Sequence, residues 1–464
     1  MRAHTGGKES FMQQKSRRSN FILIGTMLFG MFFGAGNLIF PIYMGQQAGS
    51  IFMPALLGFF MTAIGLPFMG VLAIGLLGTG GVRRLADRVH PWFGTAFSVA
   101  LYLTIGPLFA IPRTATVPFT VGIEPLISSE QMPLFLGIFS LVFFALVCRF
   151  SLKPARIIDV IGKRLTPAFL AFLSILILAS VLKPMGAFQA PQGSYVTEAL
   201  VTGFKEGYNT MDALASLAFG IVIIQAMNGL GISEPAAVAK TTIKSGAFAM
   251  GLMMLIYALI AFMGASSVGT VTLLANGGQV FAAVARHYFG SFGAILLGLI
   301  IVFACLKTSI ALVTSCGAFF HEMFPRLGYR FLVIFLSALS FSIANVGLNN
   351  IIAFAVPVLM LLYPLAIVLI LLALLSPLFK HSRSVYLSAM TLTLCVSLID
   401  GYSSLAKSVP AASVPLFESV SKFYADSLPL YHLGLGWILP ALLGALIGLL
   451  LPFASTKGHS QVSH

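Results

Sequence analysis

Charge is the scarcest commodity in this 464-residue sequence: 9% of residues are charged, against roughly a quarter in a soluble globular domain. With 58% hydrophobic residues and a mean hydropathy of +0.98, the chain cannot present a water-facing surface of ordinary composition, which excludes a soluble fold. Cysteine is also sparse. Cys148, Cys305, Cys316 and Cys395 are far apart and fall in or at the ends of apolar runs, so neither a disulfide framework nor a zinc site is expected; they read as small packing residues. The eight histidines lie in tails, loops or run ends, the carboxylates lie at or beyond the run margins, and no phosphate-cradling glycine loop is present. An intramembrane haem, quinone or lipid-modifying enzyme lacks its groups here, and so does ATP coupling within the chain. No enzyme activity and no cofactor are expected.

What is present in abundance is long apolar sequence. A hydrocarbon core about 30 Å thick needs about 20 apolar residues per helix, and the unbroken runs exclude a barrel, whose strands alternate in polarity. Runs near 20–42, 51–77, 92–119, 133–150, 165–182, 211–231, 246–268, 290–316, 330–346, 350–375, 385–404 and 432–453 predict an all-α integral membrane protein of about twelve transmembrane helices. The net charge of +14 reports orientation, not nucleic-acid binding. With the N-terminus in the cytoplasm, about twenty of the 27 Lys and Arg fall in inner loops and tails, while acidic residues, Glu206 and Asp212 among them, lean outward. Both termini are therefore expected inside, with the basic start of the chain retained as a tail before the first helix. Trp92 and Trp437 stand at predicted span starts, where indole favours the headgroup layer. The segment between Gly269 and Gly290 is too polar to span and predicts an external loop helix.

Two spans depart from good helical sequence. The first carries Gly30, Gly34, Gly36, Asn37 and Pro41 at mid-membrane depth; the sixth carries Ser216, Ala218 and Gly220, followed by Gln225, Asn228 and Gly229. Unwound backbone at that depth survives only where it lines a protein cavity, and small residues can alternatively serve close helix packing. Broken helices five spans apart point to an inverted-repeat carrier with its site at the two breaks.

Several stretches are specific enough to carry a resemblance: Phe33-Gly34-Ala35-Gly36-Asn37 with Ile39-Phe40-Pro41, the run from Gly106 and Pro107 through Pro112-Arg113-Thr114 to Thr116, Gly207 to Asp212, and Pro357 with Tyr363-Pro364. In these, and through nearly its whole length, the chain resembles the bacterial branched-chain amino acid:cation symporters, the LIVCS family of BrnQ-type carriers within the amino acid–polyamine–cation superfamily. The resemblance implies a LeuT-like 5+5 inverted repeat with broken helices 1 and 6 plus two extra C-terminal helices. It divides the chain into a cytoplasmic tail (1–19), a first repeat (20–182), an external loop (183–210), an inverted second repeat (211–375), helices 11–12 (376–453) and a second cytoplasmic tail (454–464). It implies a multi-pass protein of the bacterial inner membrane that takes a small neutral amino acid, needs no nucleic acid, and imports leucine, isoleucine and valine with sodium; oligomeric state stays open.

Residue by residue, the resemblance places the substrate carboxylate on the amides of Gly34, Ala35 and Gly36 and the ammonium on carbonyls freed near Ser216 to Phe219, Ala218 among them. The Phe219 ring would enclose the hydrocarbon, Gly220 counts among the substrate contacts, Tyr102 would contribute an aromatic hydroxyl, and Asn37 would orient the carboxylate, ligate an ion or bridge helices. For sodium it implies Gly30, Phe33, Cys305, Thr308 and Ser309. Lys307 fits least, because a lysine near mid-membrane costs about 2.5–3.5 kcal/mol on insertion scales. It keeps open a proton-coupled carrier or an exchanger of broader neutral amino acids including methionine, with its ammonium in the cation's place. Arg113, beside Pro112 and Thr114, reads as a packed structural residue.

Overall fold

The computed structural model describes residues 21, 24–77, 81–152, 166–408 and 415–451, and its regular elements are helices. The expected tails and most of the basic segment after Arg149 lie outside the described residues. Residues 24–32 form α1, followed by α2 (Gly36–Ala48), α3 (Phe52–Phe60), α4 (Leu66–Leu77), α5 (Gly81–Ala86), α6 (Pro91–Leu103), α7 (Ala110–Gly122), α8 (Met132–Ser151) and α9 (Thr166–Leu182). The second half of the chain holds α10 (Tyr195–Glu206), α11 (Asp212–Gly229), α12 (Pro235–Ser267), α13 (Gly277–Met323), α14 (Tyr329–Ala344), α15 (Leu348–Leu375), α16 (Arg383–Ser408), α17 (Pro415–Ser427) and α18 (Ile438–Leu450). Among the described residues seven helical stretches are long and apolar enough to cross a membrane, and three shorter apolar helices accompany them. One stretch, Gly36–Leu76, runs for 41 residues, about 60 Å if straight, which exceeds one bilayer crossing. It turns at Gly49, whose φ of +52° a side chain would resist.

The first span breaks where its sequence is poorest in helix formers. Phe33 still donates to the Phe29 carbonyl at 2.8 Å; Gly34 and Ala35 then leave the helical ladder, and α2 restarts at Gly36. Pro41 inside α2 lacks the N–H that would reach the Asn37 carbonyl, which loosens the restart further. Spans two and three each carry a π-helical turn, Met61–Gly65 between α3 and α4 and Thr104–Leu108 between α6 and α7. In the second, Pro107 again removes a donor and Gly106 leaves helical geometry altogether.

The sixth break differs from the sequence expectation. α11 is helical without interruption through Ser216, Ala218, Phe219 and Gly220, and the chain breaks before it, at Met211, which adopts a left-handed φ of +62° after a 3-10 turn over Gly207–Thr210. The segment read as external loop contains α10, which packs tightly on α3: a Cβ added to Gly203 would meet the Ala55 backbone, and one on Gly58 the Leu200 carbonyl. The expected loop helix between Gly269 and Gly290 begins at Gly277, capped by the Asn276 side chain accepting from Gln279 N–H at 3.0 Å, and continues into span eight across a bend at Gly290.

Small residues set the spacing around the first break. α2 lies on α12 with Gly45 against the Ala261 backbone and Gly264 against Ile42, and Gly277 of α13 abuts Ile39. Buried apolar side chains form two cores, one including Phe32, Phe219 and Leu312, the other including Ile105, Met211 and much of α15. The C-terminal pair joins the second: α16 is tied to the segment after α5 by Arg88, which donates to Tyr386 Oη at 3.0 Å, and by Arg383, which donates to the Val89 carbonyl at 3.3 Å.

Candidate functional site

Where the two cores meet, a cleft opens at both breaks. The first break contributes Gly34, Ala35, Gly36 and Asn37; the second contributes Thr210, Met211 and Asp212. Phe32, Ile105, Ala110, Ala215, Phe219 and Leu312 form its apolar wall, with Arg113 and Thr308 as further polar members. The start of α2 leaves its first N–H groups without carbonyls one turn earlier, so Ala35 and Gly36 present donors and the positive end of a helix dipole to the cleft.

Asn37 organises the polar side. Its Oδ1 accepts from Gly34 N–H at 2.8 Å, which fixes the orientation of the amide, and its Nδ2 donates to Asp212 Oδ2 and to the Tyr257 hydroxyl. The Gly34 amide, expected to hold substrate, is already engaged within the protein, which leaves Ala35 and Gly36 as the open amides; the Asn37 bonds to Asp212 and Tyr257 are those of the helix-bridging alternative. Asp212 and Arg113 are both buried, at 5% and 3% exposure, and share the cleft, so their opposite charges offset the cost of burying either alone. Arg113 donates from Nη1 to the Asn209 carbonyl at 2.6 Å and lies over the Phe40 ring with Cζ 5.2 Å from its centroid.

Of the other anticipated substrate contacts, Phe219 lines the cleft, 6.4 Å from Phe32 between ring centroids. Tyr102, Ser216, Ala218 and Gly220 do not. Tyr102 stacks on Phe319 at 3.9 Å, Ser216 donates back to the Ala213 carbonyl at 2.6 Å, Ala218 is buried in the second core, and a Cβ on Gly220 would strike Ile74. Ser216, Ala218 and Gly220 serve helix packing because α11 stays helical there, and Tyr102 of α6 serves it through its stack on Phe319. The anticipated cation residues gather where α1 meets α13. Thr308 Oγ1 lies 3.4 Å from where a Gly34 Cβ would sit, and Lys307 Nζ lies 3.3 Å from the corresponding position on Gly30. Phe33 and Cys305 are buried nearby, and Ser309 is fully buried with its hydroxyl lacking a hydrogen-bond partner among the described residues.

Sequence reasoning missed Asp212, Arg113, Thr210 and Tyr257. Asp212 stands at the start of an apolar run, where an acid reads as a loop residue; only the contact with Asn37 across the fold brings it to the cleft.

A helical membrane protein with a polar cleft between two interrupted helices has the build of a solute carrier, and solved structures share the architecture. The fold is that of the LeuT-fold transporters: it matches Mhp1, a nucleobase-cation-symport-1 family transporter in a closed conformation with bromovinylhydantoin bound, with TM-score 0.55, 14% identity, and 92% of this chain and 91% of that one covered. It matches MhsT in complex with L-phenylalanine with TM-score 0.54, 15% identity, and coverage of 93% and 97%. The chain belongs to the family described as branched-chain amino acid transport protein, whose profile matches residues 17–455. It is 43% identical to the branched-chain amino acid permease BrnQ of Bacillus subtilis over 96% of this chain and 100% of that one. It is 38% identical to the branched-chain amino acid transport system 2 carrier protein of Pseudomonas aeruginosa, with coverage of 91% and 93%. The BrnQ permease of Escherichia coli is 35% identical, with coverage of 98% and 100%.

Proposed function

We propose that this protein imports leucine, isoleucine and valine across the bacterial inner membrane by sodium symport with alternating access. The observation that carries the reading is the cleft at the two breaks, with open amides at the start of α2 on one side and an apolar wall on the other. In this reading twelve spans, with both termini inside, comprise a 5+5 inverted repeat and an added C-terminal pair. Ala35 and Gly36 amides hold the substrate carboxylate while Asn37 fixes the turn that presents them. Phe32, Ile105, Phe219 and Leu312 enclose the branched hydrocarbon, at about 0.8 kcal/mol per buried CH₂. Leucine and methionine then differ little in affinity, because their side chains have the same number of heavy atoms and an apolar wall discriminates mainly by the area it buries.

Sodium sits between carbonyls of Gly30 and Phe33 and the Cys305 carbonyl with the Thr308 and Ser309 hydroxyls, a hard-oxygen set of which the Ser309 hydroxyl has no partner among the described residues. The position of Lys307 Nζ beside Gly30 favours a second reading, in which its ammonium fills that place and protons drive transport. Uptake of labelled leucine into proteoliposomes separates the two. A steep rise with external sodium at constant pH, in the wild type and in Lys307→Thr alike, is the expected result. Uptake driven by protons in the wild type and by sodium only after Lys307→Thr replaces the sodium reading with the second one.

A further inference from the structure

An α-amino acid arrives as a zwitterion, and the structure removes one of the partners that backbone alone would have offered it. Because α11 is continuous, the carbonyls near Ser216 are engaged in its ladder, and the Met211 carbonyl just before it already accepts from Ala215 N–H at 2.9 Å. A side chain carrying full negative charge at the cleft is a stronger acceptor for an ammonium than any carbonyl left at the break. The Asp212 carboxylate lines the cleft, is buried, and gives one oxygen to Asn37; a carboxylate has about four acceptor sites, so capacity remains.

The anionic end has a matching group. Arg113 uses Nη1 on the Asn209 carbonyl, but its Nε–H, in a side chain 3% exposed, has no hydrogen-bond partner among the described residues. A buried guanidinium donor is costly to leave unmade, and its fork suits a carboxylate. The Gly34 amide is closed off by Asn37, so the amides of Ala35 and Gly36 need this help.

We propose that Asp212 and Arg113 form a two-ended clamp that selects ligands by charge at both ends: Asp212 takes the substrate ammonium, and Arg113, with the Ala35 and Gly36 amides, takes the carboxylate. The inference rests on the amino acid transport reading and narrows it to free α-amino acids. The amide of leucine, which lacks the carboxylate, and the corresponding 2-oxo acid, which lacks the ammonium, each leave one buried charge of the cleft unmatched.

The test is competition against labelled leucine on the full chain in detergent, using leucine, leucinamide and 4-methyl-2-oxopentanoate. Wild type is expected to prefer leucine over either competitor by about 100-fold or more. Arg113→Gln should weaken leucine by a similar factor and shrink the leucine-to-amide ratio at least tenfold, leaving the oxo acid disfavoured. Asp212→Asn should shrink the leucine-to-oxo-acid ratio instead. Arg113→Lys and Asp212→Glu, which keep the charges, should recover part of the selectivity. Ratios that stay at wild-type values in Arg113→Gln and Asp212→Asn overturn the clamp. Should those two variants fail to fold, the wild type decides: equal binding of leucine, its amide and its oxo acid overturns the clamp and leaves amino acid transport standing. A wild type that binds no branched-chain amino acid overturns both.

Discussion

Asn37→Ala is expected to cut leucine uptake to below about 1% of wild type, the largest effect of any single side chain at the site. Asn37 is 2% exposed and its amide serves partners from three helical segments: the Gly34 N–H at the break, Asp212 at the start of α11, and Tyr257 in α12. Truncation leaves those groups buried and unmatched at about 1–3 kcal/mol each, enough to change transport by two orders of magnitude or more. The loss is also geometric, because the Gly34 bond holds the turn that aims the Ala35 and Gly36 amides. Asn37→Asp tests this separately. It keeps an acceptor for Gly34 but sets a second carboxylate against Asp212, so uptake should fall at neutral pH as well. Uptake per reconstituted molecule, with size-exclusion elution to confirm folding, is the measurement, and retention of more than a third of wild-type uptake in Asn37→Ala would contradict this account of the site.

The second large effect is steric. In Gly45→Val and Gly264→Val the new side chain projects into backbone of the facing helix, Ala261 in one case and Ile42 in the other, and backbone cannot swing aside as the end of a side chain can. Each substitution should destabilise by about 1–3 kcal/mol or more and reduce uptake, because α2 carries the open amides and must shift to relieve the overlap. The double variant should lose less than the sum of the two, since both act on one interface. Gly75→Ala and Gly251→Ala are the controls: nothing lies within 4 Å of the added carbon at either, and both should leave thermal stability within about half a kcal/mol or raise it slightly. Equal melting temperatures for all four variants would refute the packing argument.

Much of the architecture was legible in the chain because lipid makes simple demands. Spans follow from apolar length, and the first break follows from Gly34 and Gly36 taken together with a second small-residue cluster five spans on, since either cluster alone would equally serve close packing. The second break was read too late because Gly220 resembles a helix breaker but is a packing glycine against Ile74, while the true break uses Met211, a residue with no conformational signature. Phe219 lines the cleft, while Tyr102 does not and has its ring stacked on Phe319. Asp212 and Arg113 were visible as residues but not as partners of one cavity, because a pairing between Asn37 and Asp212 across 175 positions leaves no local pattern.

The π-helical turn at Met61–Gly65 has a practical consequence for anyone mapping the permeation route chemically. One extra residue in a turn rotates everything after it by about 100° relative to a regular helix. In a cysteine scan of span two, the accessible positions within Phe52–Phe60 should follow one 3.6-residue stripe, and those within Leu66–Leu77 a stripe displaced by one residue. Read on an unbroken helical wheel, such data would assign Val71 and its neighbours to the wrong side of the helix, and the solute path would seem to cross from one face of span two to another.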